Sequence, residues 1–478
     1  MPAKTAHTSP ARRVIQIEFN ELVPRLMDQW IADGSLPNFK ALRDRSLRYI
    51  SEADVDTPSE LEPWIQWYSA HTGLSYGQHG VFHLTDGPRA QHRGVFDILG
   101  DAGFTLGCCG SMNVKSFPAS RGFFIADPWC DGQSAQPEAL NTFQKFVSQY
   151  VREYSNPDPG ARPVSATRFV SFMASHGLSA RTVAQTLSQL TQERVKDKSL
   201  SWQRAAILDR LYVDVFKHLY RKRRPDFATF FSNSTAHLQH SYWRHMEPGV
   251  FKVQPSAAQK ALYGDAIKFG YMMMDQLIRE IVALARPNDL VIFATALSQQ
   301  PFVRKEDIGG QLFYRPRDIA AFLRRVGVDD AEVEPVMTHQ FRLRFASSDR
   351  AQAAMLALSG VRADGLVMSG ISDHTDDGFV FGCSISKQLP PDAVIARDGS
   401  NETIRFFDLF YQIDGMKSGC HHPDGILWIA TGEGRDMGRC SILDIFPTVL
   451  GAFGRADLVP ADRTGRSLLR GVERRKAA

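Results

Sequence analysis

Hydrophobic and polar positions change period several times along this chain, and each change predicts an element. Residues 14–19, VIQIEF, form a short β-branched apolar run, which predicts a buried first strand. ELVPRLMDQWIADGSLPNFKALRDRS follows with helical spacing, a stop at Gly34 and a second helix after Pro37. RYISEADV reads as another strand, residues 94–103 as a helix ending near Gly103, and FTLGCCGS as a strand. Strand and helix thus alternate through the first 130 residues, which implies a parallel sheet covered by helices.

Residues 134–225 are polar and helix-rich, and predict a helical insertion over one face. The alternation resumes with a strand at 226–232, a His-rich loop, one long helix over 257–286 and a buried strand ending around Ala296. Residues 301–415 mix helix and strand signals and predict a small α+β insertion, with VEPVMTHQFRLRF as one half-buried strand. SGCHHPDGILWIATG then gives a His-rich turn and a strand, and SILDIFPTVLGAFG an amphipathic helix. The expected architecture is an α/β sandwich with a mainly parallel central sheet. Its core is built from 14–133, 226–300 and 416–470, interrupted by 134–225 and 301–415.

Composition changes this picture little. At 478 residues, 43% hydrophobic and 23% charged, the chain suits a large globular α/β protein. A net charge of +4 without basic–aromatic repeats argues against a nucleic-acid binder. No apolar run reaches the ~18 residues that cross a bilayer, and MPAKTAHTSPARR lacks the apolar core of a secretory signal. The six cysteines are scattered and form no CxxC, which fits a reduced, cytoplasmic setting.

Candidate chemistry collects at the predicted strand ends. Glu18, Asn20 and Glu21 close the first strand, and Glu60 and Glu62 follow the second, inside TPSELEPWIQWYSAHTGLSYGQHG. His237 and His240 follow the strand at 226–232, while His421 and His422 precede the strand at 425–430. In an open α/β sheet these ends converge on one crevice. Imidazoles with carboxylates there suit a divalent transition metal, zinc first and manganese second. Taken singly, each His is more often a hydrogen-bonded structural residue, and two glutamates before a helix can merely complement its positive end. Lys417 reads as an anion contact or as a solvated surface lysine.

The chain also resembles the alkaline phosphatase superfamily, especially its type I phosphodiesterase/nucleotide pyrophosphatase branch. The resemblance rests on VIQIEFNELVPRLMDQWIADGSLPNFKAL, PWIQWYSAHTGLSYGQHGVFHL, STAHLQHSYWRHMEPG, HHPDGILWIATG and SILDIFPTVLGAFG. It implies a hydrolase fold working with two metal ions and a Thr nucleophile. Carried over by residue, it keeps His240 and His421 as ligands of one ion. Ala236 replaces that ion's Asp, Asn20 stands at the first-strand Asp, and the second ion's Asp-His pair falls on Ala296 and Leu297. The nucleophile position falls on Glu62 or Pro63.

The expectation is therefore one ion rather than two. His240 and His421 would hold it with Glu62 or Glu18 as oxygen ligand and His237 in reserve, and Glu60 or Glu62 would be the base for direct hydrolysis. Asn20, Lys417 and His422 would contact a small phosphorylated substrate, a phosphate ester or phosphodiester. The alternative from another class is a non-catalytic protein that keeps the pocket for a phosphorylated ligand or a protein partner.

Overall fold

The computed structural model describes residues 13–469, apart from 131, 156–164, 196–197, 337–338 and 414. Its centre is an eight-stranded sheet. In chain order the strands are β1 (Val14–Phe19), β2 (Leu47–Glu52), β3 (Leu106–Cys109), β4 (Phe123–Ile125), β5 (Phe227–Ser232), β6 (Leu290–Ala294), β7 (Asp424–Ile429) and β8 (Arg435–Ser441). Their order across the sheet is β8-β2-β7-β6-β1-β5-β3-β4. β1 lies parallel between β5 and β6, and β7 runs antiparallel between β2 and β6. The architecture is a mixed α/β fold with a mainly parallel central sheet, as the alternating pattern implies.

Both sheet faces are buried, so the inner strands read as continuous apolar runs. Ile15, Ile17 and Phe19 join one apolar layer with Tyr212 and Phe216 of the helix Ala205–Arg223 and Ile267 and Met274 of the helix Ala266–Val282. Val14 joins the opposite layer with Trp67 of the helix Pro63–Thr72, Phe96 and Phe446. A third cluster draws only on Leu312–Phe410 and packs two helices, Ile319–Arg325 and Ser348–Ser359, with two four-stranded sheets.

Three local expectations are corrected. The helix expected over 257–286 is two, Ala257–Tyr263 and Ala266–Val282, with a break at Gly264 and Asp265. The strand expected from VEPVMTHQFRLRF is an antiparallel pair, Glu332–Pro335 and Gln340–Arg344. The closing helix Ile445–Ala452 is buried nearly all round rather than amphipathic, because the 463–468 segment also packs on it through Ser467 and Leu468. Among the described residues no helix is long and apolar enough to cross a membrane.

Candidate functional site

Three chain segments meet at the C-terminal edge of the sheet. Since β1, β5 and β6 are parallel, their C-terminal ends lie at one edge, and β7 begins there because it runs the other way. After β6 the strand Ser298–Pro301 pairs antiparallel with Gly419–His422, just before β7. This ribbon sets Gln299 opposite His421. The helix Ser234–Met246 starts just after β5 and packs against the ribbon. Gly419 permits that approach: a Cβ there would lie 2.6 Å from the Gln239 carbonyl oxygen and would also strike the Gln299 side chain.

Glu21 is the centre of this corner. It is 2% exposed and sits in the left-handed region at φ 65°, a conformation that costs a non-glycine residue about 1–2 kcal/mol. Its Oε2 lies 3.2 Å from His240 Nε2 and 3.6 Å from His421 Nε2. Gln299 donates to the same oxygen, and Asn20 Nδ2 donates to Oε1 at 2.7 Å. Gln239 donates to the Glu21 carbonyl oxygen at 2.9 Å, and its own Oε1 accepts from the Tyr271 hydroxyl at 2.8 Å. The turn is thus gripped through both backbone and carboxylate, as a strained residue requires.

The two imidazoles are held differently. His240 Nδ1 faces the Gly419 carbonyl oxygen at 3.2 Å, which leaves Nε2 toward Glu21. His421 meets His240 edge-on, with ring centroids 5.1 Å apart, and its Nδ1 lies 3.4 Å from Glu62 Oε2. Donor atoms of Glu21, His240 and His421 lie within 4.8 Å of one another. One carboxylate and two imidazoles form a donor set suited to a divalent transition metal, and three protein ligands leave a position open. Glu62 sits beside His421, at the cap of the helix Pro63–Thr72, where its side chain makes no capping hydrogen bond.

The charges are poised against one another. Burial lowers the His240 proton affinity, but the Glu21 carboxylate outweighs it, so His240 titrates above its usual range. Burial holds His421 down at about 4, with the nearby His240 and Lys417 charges adding to it and Glu21 opposing. Burial would raise Glu21, but His421 and His240 keep it well below the carboxylate range. The Glu21 carboxylate and the His240 ring thus each favour the other's charged form, while burial disfavours the charged form of His421. Glu62 is pushed up to about 7, first by burial and then by the Glu21 charge.

The other sequence candidates take different places, some beside this corner and some away from it. Glu18 points to the opposite layer, because strand alternation sets it with Val14 and Gln16. Its Oε1 accepts from Gln16 at 2.7 Å and meets His71 Nε2 at 2.8 Å. Glu60 is consumed in its own turn: it accepts from the Asp56 N–H at 2.7 Å and from the Thr57 hydroxyl at 3.0 Å. Asn20 is 1% exposed, with Nδ2 donating to Glu21 and Asn233 and Oδ1 accepting from Trp67 Nε1, so it positions Glu21 and does not face a substrate. His422 accepts the Asp424 N–H on Nδ1 at 3.2 Å, bracing the entry to β7. His237 lies one helical turn before His240 and is held at about 4 by burial and by the His240 charge. Lys417 Nζ stands 4.8 Å from the centroid of the Phe302 ring.

The residue that sequence reasoning left unassigned is Glu21. The signal was present as a carboxylate directly after the first strand. Its left-handed backbone, which turns it toward the two histidines, is invisible in a string of letters.

No family profile matches the chain, and no curated protein matches it. Among solved structures, it is similar to phosphonoacetate hydrolase from Sinorhizobium meliloti 1021 in complex with phosphonoformate, at 12% identity and a TM-score of 0.41. The phosphonoacetate complex of that enzyme gives 12% identity and a TM-score of 0.42. Each comparison covers 94% of this chain and 96% of the other.

Proposed function

We propose that the protein is a single-metal hydrolase acting on a small phosphate ester or phosphodiester, with Glu21, His240 and His421 holding one divalent ion, zinc by preference. The observation that carries this reading is the convergence of one carboxylate and two imidazoles within 4.8 Å. When bound, such an ion would polarise a phosphoryl oxygen as a Lewis acid. The chain's own residues divide the remaining work. Glu62, raised to about 7 next to His421, is suited to take a proton from an attacking water near neutral pH. Asn20 and Gln299 fix the Glu21 carboxylate from either oxygen. The Gly419 carbonyl fixes the His240 ring. Lys417, which interacts electrostatically with Glu62, supplies positive charge for an anionic substrate.

Two features support direct attack by water over a covalent intermediate. Glu62 and Pro63, not Ser or Thr, occupy the start of the helix where the resembling branch carries its nucleophile. Ala296 and Leu297 are fully buried in the apolar layer, so the second ion of that branch would lack this ligand pair.

The test is metal content by mass spectrometry on untagged protein, wild type beside His240→Ala, followed by a phosphoester and phosphodiester screen. About one equivalent of zinc or manganese, lost in the variant together with hydrolysis, is expected. Absence of metal after incubation with excess zinc would overturn the proposal and favour a non-catalytic, ligand-binding role.

A further inference from the structure

A second group of ionisable side chains lies on the Leu312–Phe410 side of the molecule. Arg315, in the strand Tyr314–Pro316, is 2% exposed, and its Nε and Nη1 have no hydrogen-bond partner. It forms no ion pair with any described residue. A buried cation without a counter-charge costs several kcal/mol. The guanidinium lies 4.8 Å from the centroid of the Phe341 ring, and such a contact returns only about 0.5–2 kcal/mol.

Two more basic groups stand near it, again without an acid bonded to either. His339 packs on Phe313 with centroids 4.7 Å apart, and its buried Nδ1 also lacks a partner. Burial, and then the charges of Arg315 and Lys417, hold His339 at about 4. Lys417 makes no ion pair among the described residues and lies over Phe302. Two backbone contacts hold the Arg315 and Lys417 segments together: Arg315 is paired in register with Tyr411, and the Lys417 N–H donates to the Gln311 carbonyl oxygen at 2.9 Å. Lys417 also feels the charge of Glu62, the neighbour of His421.

We infer that Arg315, His339 and Lys417 form a binding site for an oxyanion, the carboxylate or phosphate group of a small anionic ligand. The unpartnered Nε and Nη1 groups are free to donate charge-assisted hydrogen bonds to such oxygens. An entering anion supplies the missing counter-charge, and Lys417 adds a point charge. His339 offers its unpartnered Nδ1 as a further hydrogen-bonding atom. The site stands on these contacts whether or not the Glu21 corner holds a metal. Where both hold, the oxyanion is the second charged group of the substrate.

The test uses the full chain after EDTA treatment, at constant ionic strength set with chloride. Thermal unfolding is followed against inorganic phosphate and, separately, malonate. A saturable rise in the midpoint is expected with at least one; phosphate alone marks a tetrahedral oxyanion and malonate alone a planar one. Arg315→Met is expected to abolish the rise without lowering the ligand-free midpoint, since it removes an unpaired buried charge. Lys417→Met is expected to weaken the anion roughly tenfold. His240→Ala keeps the response, which separates this site from the metal reading. Arg315→Lys, which keeps the charge and loses the planar guanidinium donors, should also bind roughly tenfold more weakly and replaces the Met variant if that fails to fold. No rise beyond chloride in the wild type, or an equal rise in both Arg315 variants, overturns the inference.

Discussion

Two neighbouring corners of the sheet edge have opposite characters. At the end of β1, Glu21 is strained, buried and surrounded by two imidazoles and two amide donors. After β6, the strand paired beside it, Ala296 and Leu297 are fully buried in the apolar layer. The first corner holds polar groups at a cost in strain and desolvation, whereas the second is core. The difference teaches that one sheet edge can carry both characters side by side. One polar cluster is gripped by a network that positions its carboxylate, and the place beside it packs like any interior.

The sharpest way to break this contrast is to remove the carboxylate. Glu21→Ala should bind zinc more than roughly a hundredfold more weakly, beyond the ~10–100-fold typical of losing an outer partner, as read by competition with a chromophoric chelator. An unchanged affinity would place the ion elsewhere. The converse change, Ala296→Asp, should cost about 3 kcal/mol or more, because it buries a carboxylate among apolar side chains. Urea unfolding measures it, and a neutral result would mean the apolar corner tolerates charge. Gln299→Ala should leave the fold intact and weaken zinc by ~10–100-fold, as loss of an outer partner does. Acidification should weaken zinc in the wild type as well, since His240, titrating above its usual range, must release its proton to bind.

A further contrast sets Glu21 against another buried carboxylate. Asp127 is 2% exposed and forms no ion pair among the described residues; burial pushes it up to about 7 against the backbone N–H groups of Trp129 and Asn113. Its folded value lies above its unfolded one, so the native state holds the extra proton. Stability should fall as pH rises from about 4 to 7, by up to ~1.4 kcal/mol per pH unit. Asp127→Asn should remove that slope in pH-dependent urea unfolding, and a slope that persists would assign it to another group.

Much of the sheet was legible in the sequence, because parallel strands buried on both faces leave short β-branched runs such as VIQIEF and NDLVIF. The site was legible only in part. His240 and His421 stand at strand ends that topology brings together, and the structure sets Glu62 beside His421. Glu18 misled because alternation along β1 sends it to the layer containing His71, which no count of carboxylates reveals. Glu60 misled because a Thr-Pro-Ser-Glu turn consumes its own acid. Arg315 gave no signal at all, since an unpaired guanidinium looks the same in sequence as a solvated one.

The segment carrying His421 has a consequence for how the molecule is made. Gln239 reaches Glu21 across 218 residues, and His240 reaches Gly419 across a further 179. A ribosome must therefore extend the chain past residue 421 before the last imidazole can arrive. Until then Glu21 and His240 wait in a nascent chain whose central sheet lacks β7, with β2 and β6 still apart. Nascent chains stalled before residue 419 should fail to retain zinc, whereas those extended past β7 should capture it. Metal loading would then mark chains in which β7 has joined the sheet.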